Sequence, residues 1–155
     1  MYQYASGEDS ASVSFTNAGT FNLDANAVAN AVVDGSADAN AMGVSQEAYA
    51  SAASFSFANS GTFTVDAVAN AAGSSTGDAG ARAAGYLADG YSVDATVANS
   101  GTLAVKANAT GTTVAVAEAV GINLDAGTYT TSISSVVSTF GGDLTGTITN
   151  SGTLN

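Results

Sequence analysis

The chain has no histidine, cysteine, proline or tryptophan, and only two of its 155 residues are basic. Without His and Cys, it cannot assemble a Ser-His-Asp triad, a thiol nucleophile or a standard zinc site. Two basic side chains against thirteen acidic ones give a net charge of −11, which would repel a nucleic-acid backbone and an anionic lipid surface. We therefore expect a protein that is not an enzyme and has no nucleic-acid partner.

Long apolar runs are also lacking. The chain has no stretch of about 20 apolar residues, the length that would span a bilayer, so we expect no membrane insertion. The first ten residues, MYQYASGEDS, have neither a basic start nor an apolar core, and so do not form a secretory signal. If the protein is exported, we expect this chain to be a mature form or to carry an added Met1.

What the chain does contain is a repeat. Four segments align without gaps, with their asparagines 42, 40 and 51 residues apart: FTNAGTFNLDANAVANA (15–31), FANSGTFTVDAVANAAG (57–73), VANSGTLAVKANATG (97–111) and ITNSGTLN (148–155). A second marker, a glycine before an apolar residue, recurs at Gly43, Gly85 and Gly121. We expect a single domain (1–155) with repeats at about 11–52, 53–94 and 95–143, a loop inserted at 127–142, and a partial repeat at 144–155.

Within each repeat, apolar and polar residues alternate. Phe21, Leu23 and Ala25 share one phase, and Asn22 and Asp24 share the other. A period of two predicts β-strands with one buried face and one solvated face. We therefore expect an all-β protein.

Asn and Gly recur in the buried phase at the same offset in every repeat. A buried Asn needs hydrogen-bond partners, and stacked equivalents on successive coils would supply them. A glycine two residues later suits a corner where no side chain fits or where φ is positive. The expected ladder consists of Asn17, Asn59, Asn99 and Asn150 with Gly19, Gly61, Gly101 and Gly152. Because each repeat of roughly 40 residues holds two strand-rich stretches, we expect two coils of about 20 residues per repeat.

The motifs NAGTF, NSGTF and NSGTL, followed by alternating alanines and then by GV, GY or GI, resemble the β-strand repeats of bacterial surface proteins. These are autotransporter passenger domains and filamentous-haemagglutinin-like adhesins. The resemblance covers residues 11–125 and 144–155. It implies a right-handed parallel β-helix (β-solenoid), an extracellular or cell-surface location, and a role in adhesion, biofilm matrix or scaffolding. It carries over no catalytic residue and no ligand site.

Calcium is the one metal that the residues suggest. Asp34, Ser36, Asp38 and Asn40 place oxygen side chains at alternate positions, and hard cations take oxygen ligands. The calcium candidates among them are Asp34, Asp38 and Asn40. The segment lacks the glycine at the sixth position and the closing Glu of a helix-loop-helix calcium loop. The alternative is a solvated acidic face without a cofactor.

Two further sets of side chains occupy equivalent positions in the repeats. Asp24, Asp66 and Lys106 are expected to form a surface charge column rather than a carboxylate pair for acid–base chemistry. An outward threonine column would present a ladder of hydroxyl groups, and threonine is also simply a good strand residue. Its members are Thr20, Thr62, Thr102 and Thr153.

Three functional hypotheses follow. The first is a non-enzymatic structural and adhesive segment of a surface protein, with a glycan or protein of a cell surface as partner. The second is a subunit that stacks end to end with itself into a filament, because uncapped coils present unpaired strand edges. The third is a calcium- or glycan-binding module.

Overall fold

The computed structural model describes residues 1–127 and 143–155, so the predicted loop at 127–142 lies outside the described residues except for Gly127. Strands fill most of the described part, and no helix within it is long and apolar enough to cross a bilayer. The strands are β1 (Tyr2–Ser6), β2 (Ser10–Asn17), β3 (Thr20–Asn30), β4 (Asp34–Tyr49), β5 (Ala52–Asn59), β6 (Thr62–Ala72), β7 (Thr76–Gly90), β8 (Val93–Asn99), β9 (Thr102–Gly111), β10 (Val114–Ala126), β11 (Leu144–Asn150) and β12 (Thr153–Leu154).

The strands form three parallel sheets of four strands each. Sheet A has the order β1-β4-β7-β10, sheet B has the order β11-β8-β5-β2, and sheet C has the order β12-β9-β6-β3. The chain visits the sheets in turn, so that β2, β3 and β4 make one coil and β5, β6 and β7 make the next. This arrangement confirms the prediction of an all-β parallel solenoid.

The expected division of each repeat into two short coils is wrong. Asn17 pairs with Asn59, 42 residues later, and Asn59 pairs with Asn99, 40 residues later. Each repeat is therefore one coil with three sides. The alternating pattern reveals strands but not the number of corners between them, and the corner at 31–33 between β3 and β4 carries no Asn-Gly signal. We call each level of the stack, one strand in each sheet, a rung. At about 4.8 Å between neighbouring strands, the four rungs rise only about 14 Å from the first strand of a sheet to the last.

Aromatic rings stack between rungs inside the solenoid. The Phe15 and Phe57 rings lie 5.5 Å apart, and the Phe21 and Phe63 rings lie 4.4 Å apart and nearly parallel. Phe57 and Phe63 are fully buried, whereas Phe15 and Phe21, on the first rung, are half-buried. Offset ring pairs of this kind contribute about 0.5–1.5 kcal/mol beyond the burial of their area.

The long strand of sheet A bends at the second marker glycine. Gly43 and Val44 are both buried, so the inward phase shifts by one residue at this point. A Cβ atom on Gly43 would lie 2.6 Å from the Gly85 carbonyl oxygen and 2.7 Å from the Phe63 ring. Glycine is required here because the backbone passes too close to both neighbours for any side chain.

A buried polar chain crosses three rungs beyond this bend. Tyr86 Oη donates to Gln46 Oε1 at 2.6 Å, and Gln46 Nε2 donates to Gln3 Oε1 at 2.8 Å. Tyr86 and Gln46 are fully buried, and burial raises the pKa of the Tyr86 hydroxyl. Polar residues from separate coils thus satisfy one another's hydrogen bonds inside the solenoid.

We expect Tyr86→Phe to lower the free energy of unfolding by about 1–3 kcal/mol, because Gln46 Oε1 would lose its buried donor. Urea denaturation followed by circular dichroism measures the loss. Tyr91→Phe is the matched control, since Tyr91 is 66% exposed, and it should change stability little. Equal effects of the two substitutions would contradict this role for the Tyr86 hydroxyl.

Candidate functional site

An asparagine ladder runs along the corner between sheets B and C. Asn17 Nδ2 donates to Asn59 Oδ1 at 2.8 Å, and Asn59 Nδ2 donates to Asn99 Oδ1 at 2.7 Å. Asn99 Nδ2 donates in turn to Asn150 Oδ1 at 2.7 Å. The same amides also donate to the carbonyl oxygens of Thr62, Thr102 and Thr153 on the next rung, at 2.9, 2.9 and 3.2 Å.

The ladder has a direction, because every inter-rung amide donates toward the C-terminal end of the solenoid. At the N-terminal end, the Asn17 Oδ1 accepts from the amide of Gly19 at 3.3 Å, and no rung lies below it in the described part. At the other end, Asn150 Nδ2 donates to the carbonyl of Gly152 in its own rung at 3.1 Å. The first rung therefore presents an acceptor and the last rung presents a donor.

The corner glycines leave space for the backbone of the preceding rung. A Cβ atom on Gly61 would overlap the Gly19 carbonyl oxygen, and one on Gly101 would overlap that of Gly61. A Cβ atom on Gly152 would likewise overlap the Gly101 carbonyl oxygen. None of these glycines has a positive φ, so they are needed for close approach and not for an unusual backbone conformation.

Both end rungs expose part of the core. On the first rung, Phe15 and Phe21 are half-buried. On the last rung, Ile148 is 39% exposed and Leu154 is 48% exposed, at the corresponding positions of the same inward columns. Each end thus presents apolar side chains together with strand edges that pair with no other strand of the described residues.

The three calcium candidates do not converge. Asp34, Asp38 and Asn40 lie along β4, and the strand between them separates Asp34 from Asn40 by about 20 Å. Calcium binds its ligands at about 2.3–2.6 Å, so these two cannot share an ion. Thr76 Oγ1 donates to Asp34 Oδ1 at 2.8 Å, and Asn40 pairs with the cationic Arg82 on the next rung. Within residues 1–127 and 143–155, no group of three or more acidic side chains could hold a metal ion.

Asp24, Asp66 and Lys106 lie in register on successive rungs of sheet C. Asp24 and Lys106 are exposed, and Asp66 is half-buried. The arrangement is a mixed column of charge on the outer face of the sheet.

The outer face of sheet B carries rows of small hydroxyl side chains. Pairing across the four rungs aligns Ser14, Ser56, Thr96 and Thr147 in one row. The next row begins with Ser12 and Ser54 and continues with Asp94 and Thr145. Sheet C adds the threonine row that begins with Thr20 and Thr62. Hydroxyl groups therefore repeat at about 4.8 Å along the solenoid axis.

Sequence reasoning missed a column of carboxylates on sheet A. Glu47 pairs with Asp89, and Asp89 pairs with Asp125. Burial, then the Asp125 and Glu47 charges, raise the pKa of Asp89. Tyr2 Oη donates to Glu47 Oε2 at 2.7 Å, and this bond raises the pKa of Tyr2 to about 12. The signal was present, because each carboxylate follows a marker glycine by four residues.

We expect Asp89→Asn to stabilise the protein at neutral pH. In the unfolded chain the pKa of this carboxyl group is the usual 3.8. The folded state therefore keeps the Asp89 proton at pH values where the unfolded chain has lost it. The free energy of unfolding therefore falls as the pH rises through that window, and removing the charge should recover up to about 1 kcal/mol. Thermal melts from pH 4 to 8 test this, with the exposed Asp94→Asn as the control. A lower melting temperature for Asp89→Asn at pH 7 would refute it.

No protein-family model, curated protein or solved structure matches this chain. The geometry of the corner, the outer faces and the end rungs is therefore the basis for assigning a function.

Proposed function

We propose that this chain is a non-enzymatic, extracellular structural and adhesive β-solenoid segment of a bacterial surface protein. The observation that carries the proposal is the unbroken asparagine and glycine corner, where hydrogen bonds join all four rungs in one register. A scaffold fixed in this way holds its outer faces rigid. Function then resides in rows of side chains repeated along the axis, not in a single cleft.

The hydroxyl rows of sheet B support adhesion to a glycan or protein of a cell surface. Apart from Asp94, their side chains are small, closely spaced hydroxyl groups, which donate and accept hydrogen bonds without carrying charge. Repetition also makes binding multivalent, so weak contacts can add along an extended ligand. The acidic net charge of −11 limits non-specific binding to anionic surfaces.

A binding assay on immobilised glycans and matrix proteins tests this function. We expect the wild-type protein to be retained, and a triple variant of one sheet B row, Ser14→Lys, Ser56→Lys and Thr96→Lys, to lose retention. The control, with Asn26→Lys, Asn70→Lys and Asn108→Lys on the exposed face of sheet C, adds the same three positive charges. Equal retention of the wild type and the triple variant would exclude sheet B as the adhesive face. Incubation with the same glycans should yield no cleavage products.

The open end rungs favour a second candidate, a subunit that self-assembles into an extracellular filament. Unpaired edges of parallel strands are templates for further pairing, and contacts between unlike ends extend without closing. Negative-stain electron microscopy at low and physiological salt tests it. Filaments are the expected result, and single short particles under all conditions would exclude it. Thermal melts with and without calcium test the third hypothesis, because calcium would raise the melting temperature of a cation-binding module.

A further inference from the structure

Two groups on the first rung lack the neighbour that their equivalents have. On interior rungs, the asparagine Oδ1 accepts an amide from the rung below, as Asn59 does from Asn17. On interior rungs, the corner glycine also leaves space for a carbonyl from the rung below, as Gly61 does for Gly19. For Asn17 the described chain supplies no amide from below, and a Cβ atom on Gly19 would meet nothing within 4 Å.

The last rung offers what the first rung lacks. Asn150 Nδ2 makes its hydrogen bond within its own rung, to Gly152, so it is not committed to a rung above. The Gly19 and Gly61 carbonyls each lie directly below the corner glycine of the next rung. The Gly152 carbonyl has the same position on the last rung. Ile148 and Leu154 are partly exposed in the columns of Phe15 and Phe21.

We propose that the last rung of one copy of this chain binds the first rung of a second copy, head to tail, through this corner. Asn150 Nδ2 donates to Asn17 Oδ1 of the second copy, and the Gly152 carbonyl occupies the space that a side chain on Gly19 would fill. The proposal rests on the filament form of the proposed function and specifies its junction.

The pairing follows from the columns already formed within the chain. Strand β11 lies against β2 of the second copy, with Ile148 on Phe15 and Leu154 on Phe21. The end of β10 lies against β1 of the second copy. The direction of the ladder selects this polarity, because joining two first rungs would set one Asn17 Oδ1 against another.

Sedimentation velocity across a concentration series tests the junction with two glycine variants. Gly19→Ala adds a methyl group that meets nothing within the chain but would meet the Gly152 carbonyl of the neighbouring copy. Gly121→Ala is the matched control, because its Cβ also meets nothing within 4 Å and it lies outside the paired stretch. We expect wild-type melting temperatures for both, normal association for Gly121→Ala, and a dissociation constant raised about ten-fold or more for Gly19→Ala.

Asn150→Asp provides a second variant that does not depend on the first. An aspartate there can still accept from Asn99, but it opposes the Asn17 Oδ1 of the next copy, so association should fall. Asn70→Asp, on an interior rung, controls for the added charge. A wild-type protein that stays monomeric throughout would overturn the junction but leave adhesion standing. Filaments that survive both Gly19→Ala and Asn150→Asp would overturn the junction and leave self-assembly through another surface.

Discussion

Gly61→Ala is expected to destabilise the fold by at least about 3 kcal/mol, although it adds a single methyl group. The new Cβ atom would overlap the Gly19 carbonyl oxygen and would lie 2.8 and 2.9 Å from the carbonyl carbons of Ala18 and Gly19. Backbone atoms cannot move aside as the end of a flexible side chain can. Relief therefore requires the two rungs to separate at the corner, which stretches the neighbouring hydrogen bonds of the ladder.

The free energy of unfolding from urea titration measures this loss, and Gly19→Ala is the control. The two substitutions are chemically identical and lie in the same column, one rung apart. Only Gly61 has a carbonyl beneath it, so only Gly61→Ala should lower the midpoint. Similar midpoints for the two variants would mean that the close approach of the rungs does not determine stability at this corner.

The alternation of apolar and polar residues is enough to predict strands and, where the phase does not shift as it does at Gly43, the inward side of each strand. Phe21, Leu23 and Ala25 point into the solenoid because a pleated strand places alternate residues on opposite faces. The recurrence of N-[SA]-G-T at a constant offset likewise led to stacked asparagines. These features depend on neighbours in sequence or on exact repetition, both of which can be read directly.

The coil length could not be read in the same way. A period of two is the same on every side of a solenoid, so it does not count the sides. The corner after Asn30 has no glycine or asparagine pair to mark it, and β4 continues through its bend at Gly43 without ending. Two strand-rich stretches were therefore inferred where the repeat has three strands.

The same error concealed the contacts between coils. Glu47 and Asp89 are neighbours only because one coil takes a whole repeat, and with two coils to each repeat they would be two rungs apart. The bond from Tyr86 to Gln46 depends on the same length, since the two residues are 40 positions apart. Pairings of this kind are determined by which strand lies beside which, and alternation within one strand carries no such information.

Asn59→Asp is expected to cost about 3–5 kcal/mol at neutral pH, because it buries a charge without a compensating partner. Asn59 is 2% exposed, and its amide donates to Asn99 Oδ1 and to the Thr102 carbonyl. An aspartate of the same shape still accepts from Asn17. Its second carboxylate oxygen, however, faces Asn99 Oδ1 and the Thr102 carbonyl oxygen, which are both acceptors. One interior substitution thus removes two hydrogen bonds and replaces them with repulsion.

The loss of stability caused by Asn59→Asp should become smaller as the pH falls. Burial favours the neutral carboxylic acid, so protonation restores one donor toward the next rung and removes the charge. Denaturation at pH 4 and pH 7 measures the difference, and Asn70→Asp is the control, because Asn70 is exposed on an interior rung and lies outside the ladder. An effect at Asn59 no larger than at Asn70 would show that the ladder is a consequence of the stacked rungs. A large, pH-dependent effect confined to Asn59 would show that the ladder itself holds the rungs in register.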